Sequence, residues 1–281
     1  MSAPARPLRS VLYIPGSKER ALEKAKTLAA DAIIFDLEDA VAPNEKSAAR
    51  GLLAETLAQS DYGARLRLVR INGLDTEWGA EDLATIAPAA PDAFLLPKVD
   101  GPDGIAAIRA RTDLPVWAMM ETARGILNAE AIADAPGIGG FVMGTNDLAK
   151  ELGARSRAAM TAALQHTLLA ARAGGIACID GVYNAFKDED GLRDECIEGR
   201  EWGMDGKTLI HPAQIDIANQ VFAPSDAEID LARRQMAAFE EAMAKGEGVA
   251  VVDGRIVENL HIETARATLA KADAIAAMAP I

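Results

Sequence analysis

The chain has little of several things, and each shortage removes a class of protein. Two cysteines in 281 residues, Cys178 and Cys196, are too few for a disulfide framework and lack the spacing of a zinc site. They read as reduced thiols, which places the expected location in the cytoplasm. Lys and Arg number 29 against 42 Asp and Glu, and the resulting net charge of −13 repels polyanions. Nucleic acid and anionic membrane are therefore poor candidates for the main partner. No basic start followed by an apolar run opens the sequence, and no stretch of about 18 apolar residues occurs, so neither a leader nor a spanning helix is expected. The glycine fingerprint G-x-G-x-x-G of a dinucleotide fold is missing as well. Three tryptophans, Trp78, Trp117 and Trp202, are scattered and suit core or rim packing.

What remains is half apolar and a quarter charged, a composition suited to one large α/β domain. Short β-branched and apolar runs recur at 10–15, 31–37, 65–72, 93–99, 115–120, 137–144, 177–182 and 206–212. Between them lie Ala-, Leu- and Glu-rich segments such as "ERALEKAKTLAA" and "ETARGILNAEAIADA", with apolar residues three and four apart. Continuous apolar strands alternating with helices predict parallel strands buried on both faces, and eight such units predict an α/β fold of the (β/α)₈ TIM-barrel type. The barrel is expected over 1–222. A C-terminal extension over 223–281 should be helical and carry a hairpin turning at Asp253-Gly254. Such an appendage suits covering the barrel mouth or crossing to a neighbouring subunit.

Active sites of barrels are built at the C-terminal strand ends, so the residues standing there are the candidates. Asp36, Glu38 and Asp39 follow the second strand, Arg70 and Asn72 end the third, and Lys98 ends the fourth. Glu121 follows the fifth, Asn146 and Asp147 the sixth, Asp180 lies in the seventh and His211 ends the eighth. Glu121 and Asp147 are oxygen ligands on separate strand ends without a His or Cys cluster, which suits Mg²⁺, with Mn²⁺ as a substitute. Pairing with a base, or capping of the helix after Glu121, is the alternative for these two. Arg70 on an apolar strand needs a carboxylate partner, Asp36 or Glu38, or an anionic substrate group. Lys98 could form a Schiff base with a carbonyl substrate, or bridge to the carboxylates, which outnumber the bases. The junction "IPGSKERALEKAK" offers Ser17 as a helix cap, and its bases include Arg20 and Lys26; it reads as a phosphate site or as a solvated helix face. His166 and His261 read as structural or solvated. His211 is open between capping a helix and touching a ligand.

Segments along nearly the whole chain resemble the citrate lyase β-subunit-like enzymes, a family that also contains malyl-CoA lyases. They are "RSVLYIPGSKERALEKA", "AIIFDLEDAVAPNEK", "VRINGLDTEWG", "LLPKV", "METARGILNA", "MGTNDLAKELG" and "DGKTLIHPAQI". The resemblance implies that Glu121 and Asp147 bind Mg²⁺, that Arg70 contacts substrate with Asn146 beside it, and that Arg20 and Lys26 hold the phosphates of CoA, with His211 as a further CoA contact. It also implies a metal-based site without a lysine Schiff base, a small CoA thioester as substrate, and a homo-oligomer, trimer or hexamer. The family's lyases carry an aspartate in the tail that acts as acid in a neighbour's site, and the matching position here is Glu258 in "RIVENL". The expected reaction is hydrolysis of malyl-CoA to malate and CoA, with Glu258 or one of Asp36, Glu38 and Asp39 as base. Cleavage of the carbon–carbon bond to acetyl-CoA and a 2-oxo acid such as glyoxylate is the alternative. A third reading is a lyase subunit working inside a larger complex.

Overall fold

The computed structural model describes residues 6–278. Eight parallel strands close into a barrel in sequence order: β1 (Ser10–Pro15), β2 (Ala32–Asp36), β3 (Leu66–Arg70), β4 (Ala93–Leu96), β5 (Val116–Met120), β6 (Ile138–Met143), β7 (Ala177–Asp180) and β8 (Gly206–Leu209). The helices that connect them are α1 (Glu19–Ala25), α2 (Lys46–Gln59), α3 (Gly79–Ile86), α4 (Pro102–Arg109), α5 (Ala123–Leu127), α6 (Ala129–Ala133), α7 (Thr145–Leu152), α8 (Thr161–Ala173) and α9 (Glu189–Trp202). Each strand coincides with an apolar run expected from sequence. The expected helix over "ETARGILNAEAIADA" is instead broken at Asn128, whose side-chain amide donates to the Asp100 carbonyl at 2.6 Å.

The barrel interior explains the alternation inside each strand. Val11, Ile34, Leu68, Leu95, Met119, Val142 and Ile179 form one buried cluster, so alternate residues of β1 to β7 point inward. Following that parity upward places Asp36, Arg70 and Glu121 on the inward side at the C-terminal ends. Trp117 also points inward, and the pair Gly139-Gly140 on β6 makes room for it: a Cβ at Gly140 would lie 2.7 Å from the indole. "GIGG" is thus a packing device for one aromatic ring.

The opposite parity accounts for Asp180 and Lys207, which pair across β7 and β8 and are both fully buried. The Lys207 ammonium donates to Asp180 at 2.9 Å and to Glu195 of α9 at 2.6 Å. Arg157 grips both Asp180 oxygens, at 2.9 and 3.0 Å. Asp180 therefore belongs to the layer between barrel and helices, and its place among the strand-end acids of the site is corrected accordingly.

The chain divides into two compact units, the barrel from Leu8 to Asn219 and a second unit formed by the residues from Gln220 onward together with Arg6 and Pro7. Helix α10 (Ile215–Phe222) runs across that boundary and is followed by α11 (Asp226–Ala244), the hairpin β9 (Ala250–Val252) and β10 (Arg255–Val257), and α12 (Asn259–Ala277). Ser225 and Glu228 cap α11 reciprocally, each backbone N–H donating to the other's side chain. Asp253 and Gly254 turn the hairpin with φ of 50° and 73°, the left-handed pair that a two-residue turn requires. Ala242, Ala250, Val257 and Ile262 form the small core of this unit. Among the described residues, no helix is long and apolar enough to cross a membrane.

Candidate active site

The register of β2 against β3 sets the first feature of the site, because it places Asp36 directly opposite Arg70. The guanidinium binds Asp36 as a fork, Nε to Oδ1 at 2.8 Å and Nη2 to Oδ2 at 2.6 Å. Asp36 also accepts the amides of Glu38 and Ala40, so its lone pairs are fully used. The remaining corner of Arg70, Nη1, lies 2.7 Å from Glu38 Oε2 and 3.4 Å from Asp39. Its face lies over the ring of Tyr13, 5.2 Å from the centroid. Arg70 is buried, and two carboxylates carry the cost of burying it.

Glu38 is the second buried carboxylate. Burial pushes its pKa up, the Arg70 charge pulls it down and Asp39 raises it, with a net upward shift. Lys98 donates to Glu38 Oε1 at 3.1 Å, while Oε2 stands beside Arg70 without the geometry of a hydrogen bond. Lys46, also buried, holds the chain below by donating to the carbonyls of Leu37 and Glu38 at 3.0 and 2.9 Å. Asn72 donates to the Leu37 carbonyl at 2.9 Å and to Asp82 at 2.6 Å, which ties the β2 and β3 ends to α3. Asp39 is mostly exposed at the rim.

Glu121 stands one residue beyond β5, buried to 2 % exposure. It does not cap the following helix, since Thr122 takes that place by accepting the Gly125 amide at 2.9 Å. Its Oε1 accepts the Lys98 backbone amide at 2.8 Å. Burial raises its pKa, the Lys98 amide opposes this, and Glu38 and Asp147 add to the rise, so the carboxyl is pushed up to about 7. Asp147 lies in the first turn of α7, half-buried. A cavity of about 380 Å³ opens onto Tyr13, Arg70, Met119, Glu121, Asn146 and Asp147.

A divalent cation fits this donor set. Two carboxylates on separate rigid elements face one cavity, and the Glu121 pKa is raised chiefly by burial, with Glu38 and Asp147 adding to it, so a cation would offset the cost of its charge there. Among the described residues there is no group of three or more His, Cys, Asp or Glu able to hold a metal.

Asn146 pairs reciprocally with Asn184, the two side-chain amides exchanging hydrogen bonds of 3.3 and 2.7 Å. Buried Gln214 ties the next two strand ends together: its oxygen accepts Ile210 N–H and His211 N–H, and its amide donates to the Tyr183 carbonyl at 3.0 Å. His211 caps the short turn after β8 by accepting the Ala213 amide at 3.2 Å, and its ring stacks on Phe186 at 4.7 Å. Arg20 is exposed on α1, while the Lys26 ammonium, just past the end of that helix, is held by Glu23 at 2.5 Å. Ser17 does not cap this helix; Lys18 occupies the capping position, and the Ser17 hydroxyl is buried without a hydrogen-bond partner among the described residues. Glu258 lies in the C-terminal unit, exposed at the start of α12, with its backbone N–H donating to His261 Nδ1 at 3.1 Å.

The barrel thus brings Asp36, Glu38, Asp39, Arg70, Glu121, Asn146 and Asp147 to one mouth. Sequence reasoning missed Tyr13 and Met119 as cavity lining. The inward parity of "SVLYIP" and "VWAMM" is the signal that could have found them.

Residues 9–212 match the family described as HpcH/HpaI aldolase/citrate lyase. A (3S)-malyl-CoA thioesterase of Cereibacter sphaeroides is 66 % identical over 281 residues, covering 99 % of each chain. An L-malyl-CoA/beta-methylmalyl-CoA lyase of the same species is 33 % identical, covering 98 % of this chain and 97 % of the lyase. Among solved structures, protein CitE of Mycobacterium tuberculosis, in complex with magnesium, acetoacetate and coenzyme A, superposes with a TM-score of 0.81 at 30 % identity, covering 96 % of this chain and 100 % of that one.

Proposed function

The chain belongs to the HpcH/HpaI aldolase/citrate lyase family, and from that premise we propose that it hydrolyses (3S)-malyl-CoA to malate and CoA in a Mg²⁺-dependent reaction. The observation that carries this reading is the identity of 66 % across both full chains to a thioesterase of that specificity, against 33 % to a malyl-CoA lyase.

Glu121 and Asp147 would hold the Mg²⁺, with Mn²⁺ as a substitute. When bound, the ion supplies positive charge to polarise substrate oxygens. Arg70 serves the thioester oxygen: Asp36 fixes its plane, and its position beside the cavity lets a guanidinium N–H meet the oxyanion as charge develops. Glu38 takes the proton from the attacking water. Its raised pKa and its Oε2, which accepts no hydrogen bond, suit a base better than Asp36, whose oxygens are spent on Arg70 and two amides. Water then adds to the thioester carbonyl carbon, the carbon–sulfur bond breaks, and the CoA sulfur leaves and is protonated. Asn146 borders the acyl group. Arg20 and Lys26 are assigned to the CoA phosphates and His211 to a contact along the CoA chain.

Glu258 of a neighbouring copy is the second proton-transfer candidate, which requires a homo-oligomer, trimer or hexamer. Exposed Val251, Ile256 and Leu260 around the hairpin support an association surface there. We place the enzyme in the cytoplasm.

The test is product analysis with purified protein, malyl-CoA and Mg²⁺, with a chelator control. Malate and free thiol rising together without glyoxylate are expected. Glyoxylate and acetyl-CoA as main products would replace hydrolysis by carbon–carbon cleavage, and activity only after adding a carrier subunit would make the chain part of a complex.

A further inference from the structure

Lys98 is one of three residues other than glycine with a left-handed backbone among those described, with φ of 50°. The other two, Ala90 and Asp253, sit in a turn after a short helix and in the tail hairpin. Lys98 instead stands in the bend just past the end of β4, at the barrel mouth. Strain of this kind persists where the surroundings over-determine it, and it gathers at functional sites.

The consequence of the conformation is visible in its hydrogen bond. The Lys98 N–H is aimed across to the next strand end and donates to Glu121 Oε1 at 2.8 Å. On the other side of the same carboxylate is Gly144, the residue preceding α7 and three before Asp147. A Cβ at Gly144 would collide with both Cβ and Oε2 of Glu121. The Lys98 side chain takes no part in this seat: its ammonium turns away to Glu38 Oε1 at 3.1 Å.

We propose that Lys98 and Gly144 are positioning residues for the metal, acting through their backbones: one anchors Glu121 Oε1 and the other leaves the room that Oε2 needs to face Asp147 and the ion. The inference rests on the reading of Glu121 and Asp147 as the metal pair. It separates the two functions of Lys98, whose amide serves the metal ligand and whose ammonium serves Glu38.

Binding of Mn²⁺ alone, read from the electron paramagnetic resonance signal of free ion, tests this without turnover. Glu121→Gln should abolish binding; if it binds as the wild type does, the metal reading itself fails and the cradle falls with it. Given that loss, Lys98→Ala and Lys98→Gly should stay within about threefold of the wild type, because both keep the amide and neither excludes a left-handed backbone. Lys98→Val, whose branched Cβ opposes that backbone, and Gly144→Ala should each bind about tenfold or more weakly, the size of effect seen when a ligand's support is removed. Lys98→Ala should nonetheless lower kcat, through Glu38. Equal losses of Mn²⁺ affinity in the Ala, Gly and Val variants would assign the effect to the ammonium and overturn the proposal. Wild-type affinity in both Lys98→Val and Gly144→Ala would overturn it too. Thermal melting checks that each variant is folded, and should Lys98→Val fail that check, Gly144→Ala decides alone.

Discussion

Replacing Lys207 by Met should cost the protein a large part of its stability and almost none of its turnover number. The ammonium is fully buried and bridges Asp180, also fully buried, and Glu195, which is 18 % exposed. Met matches the length of the stem, so the change removes a charge more than a volume. Breaking a buried ion pair by removing one partner costs about 3–5 kcal/mol. Arg157 still covers both Asp180 oxygens, so the lower end, about 3 kcal/mol, is expected out of a typical total of 5–15. At this chain length that corresponds to a melting point lower by roughly 6–12 °C.

The pH dependence carries the sign. Burial disfavours the Asp180 carboxylate, but Lys207 and Arg157 outweigh it and hold the group below the ordinary range. A carboxyl depressed in the folded state contributes stability above its unfolded pKa of about 3.9, and that contribution is lost as pH falls through the folded value. Removing Lys207 weakens the depression, so wild type and variant should differ most near neutral pH and converge only as the pH falls below the ordinary carboxylate range, through the depressed folded-state values. Urea titrations at pH 7 and at pH 3.5, with kcat measured at low temperature, are the assay. A loss under about 1 kcal/mol at pH 7, or a difference that grows as the pH is lowered, would refute the electrostatic argument. A large fall in kcat of the folded variant would refute the placement of Asp180 outside the catalytic mouth.

Three further outcomes follow from the same geometry. Glu38→Gln should lower kcat by about 10²- to 10⁴-fold with KM little changed, measured by thiol release, since it removes the assigned base but keeps the shape. Arg70→Lys should lower kcat by about 10²-fold or more: a single ammonium cannot reproduce the fork on Asp36 and still reach the thioester oxygen. Gly140→Ala should destabilise the barrel by about 1–3 kcal/mol in chemical unfolding, because the added Cβ meets the Trp117 ring at 2.7 Å.

Much of the site was legible because a barrel turns strand order into spatial order. Once eight apolar runs alternate with helices, the residue after each run must stand at one rim, and Asp36, Arg70, Glu121 and Asp147 could be named together. The period within a run is more informative still: inward parity separates Asp36, Arg70 and Glu121 from Asp180, although all four are polar residues near strand ends. The boundaries of α5 and α6 were not legible: at the break, Asn128 is bonded to the Asp100 carbonyl, 28 residues away in sequence, a contact no local pattern shows.

The sequence by itself determined the strand count, the barrel, the acidic character of the mouth and the family, since periodicity and motif order are properties of a string. Tertiary structure alone decided how the carboxylates divide their work. Register put Asp36 opposite Arg70, burial raised Glu38 and Glu121, and parity sent Asp180 to Lys207 and Arg157. A carboxylate's chemistry depends on the charges and donors within a few ångströms and on the water it has lost, and neither quantity exists until the chain is folded.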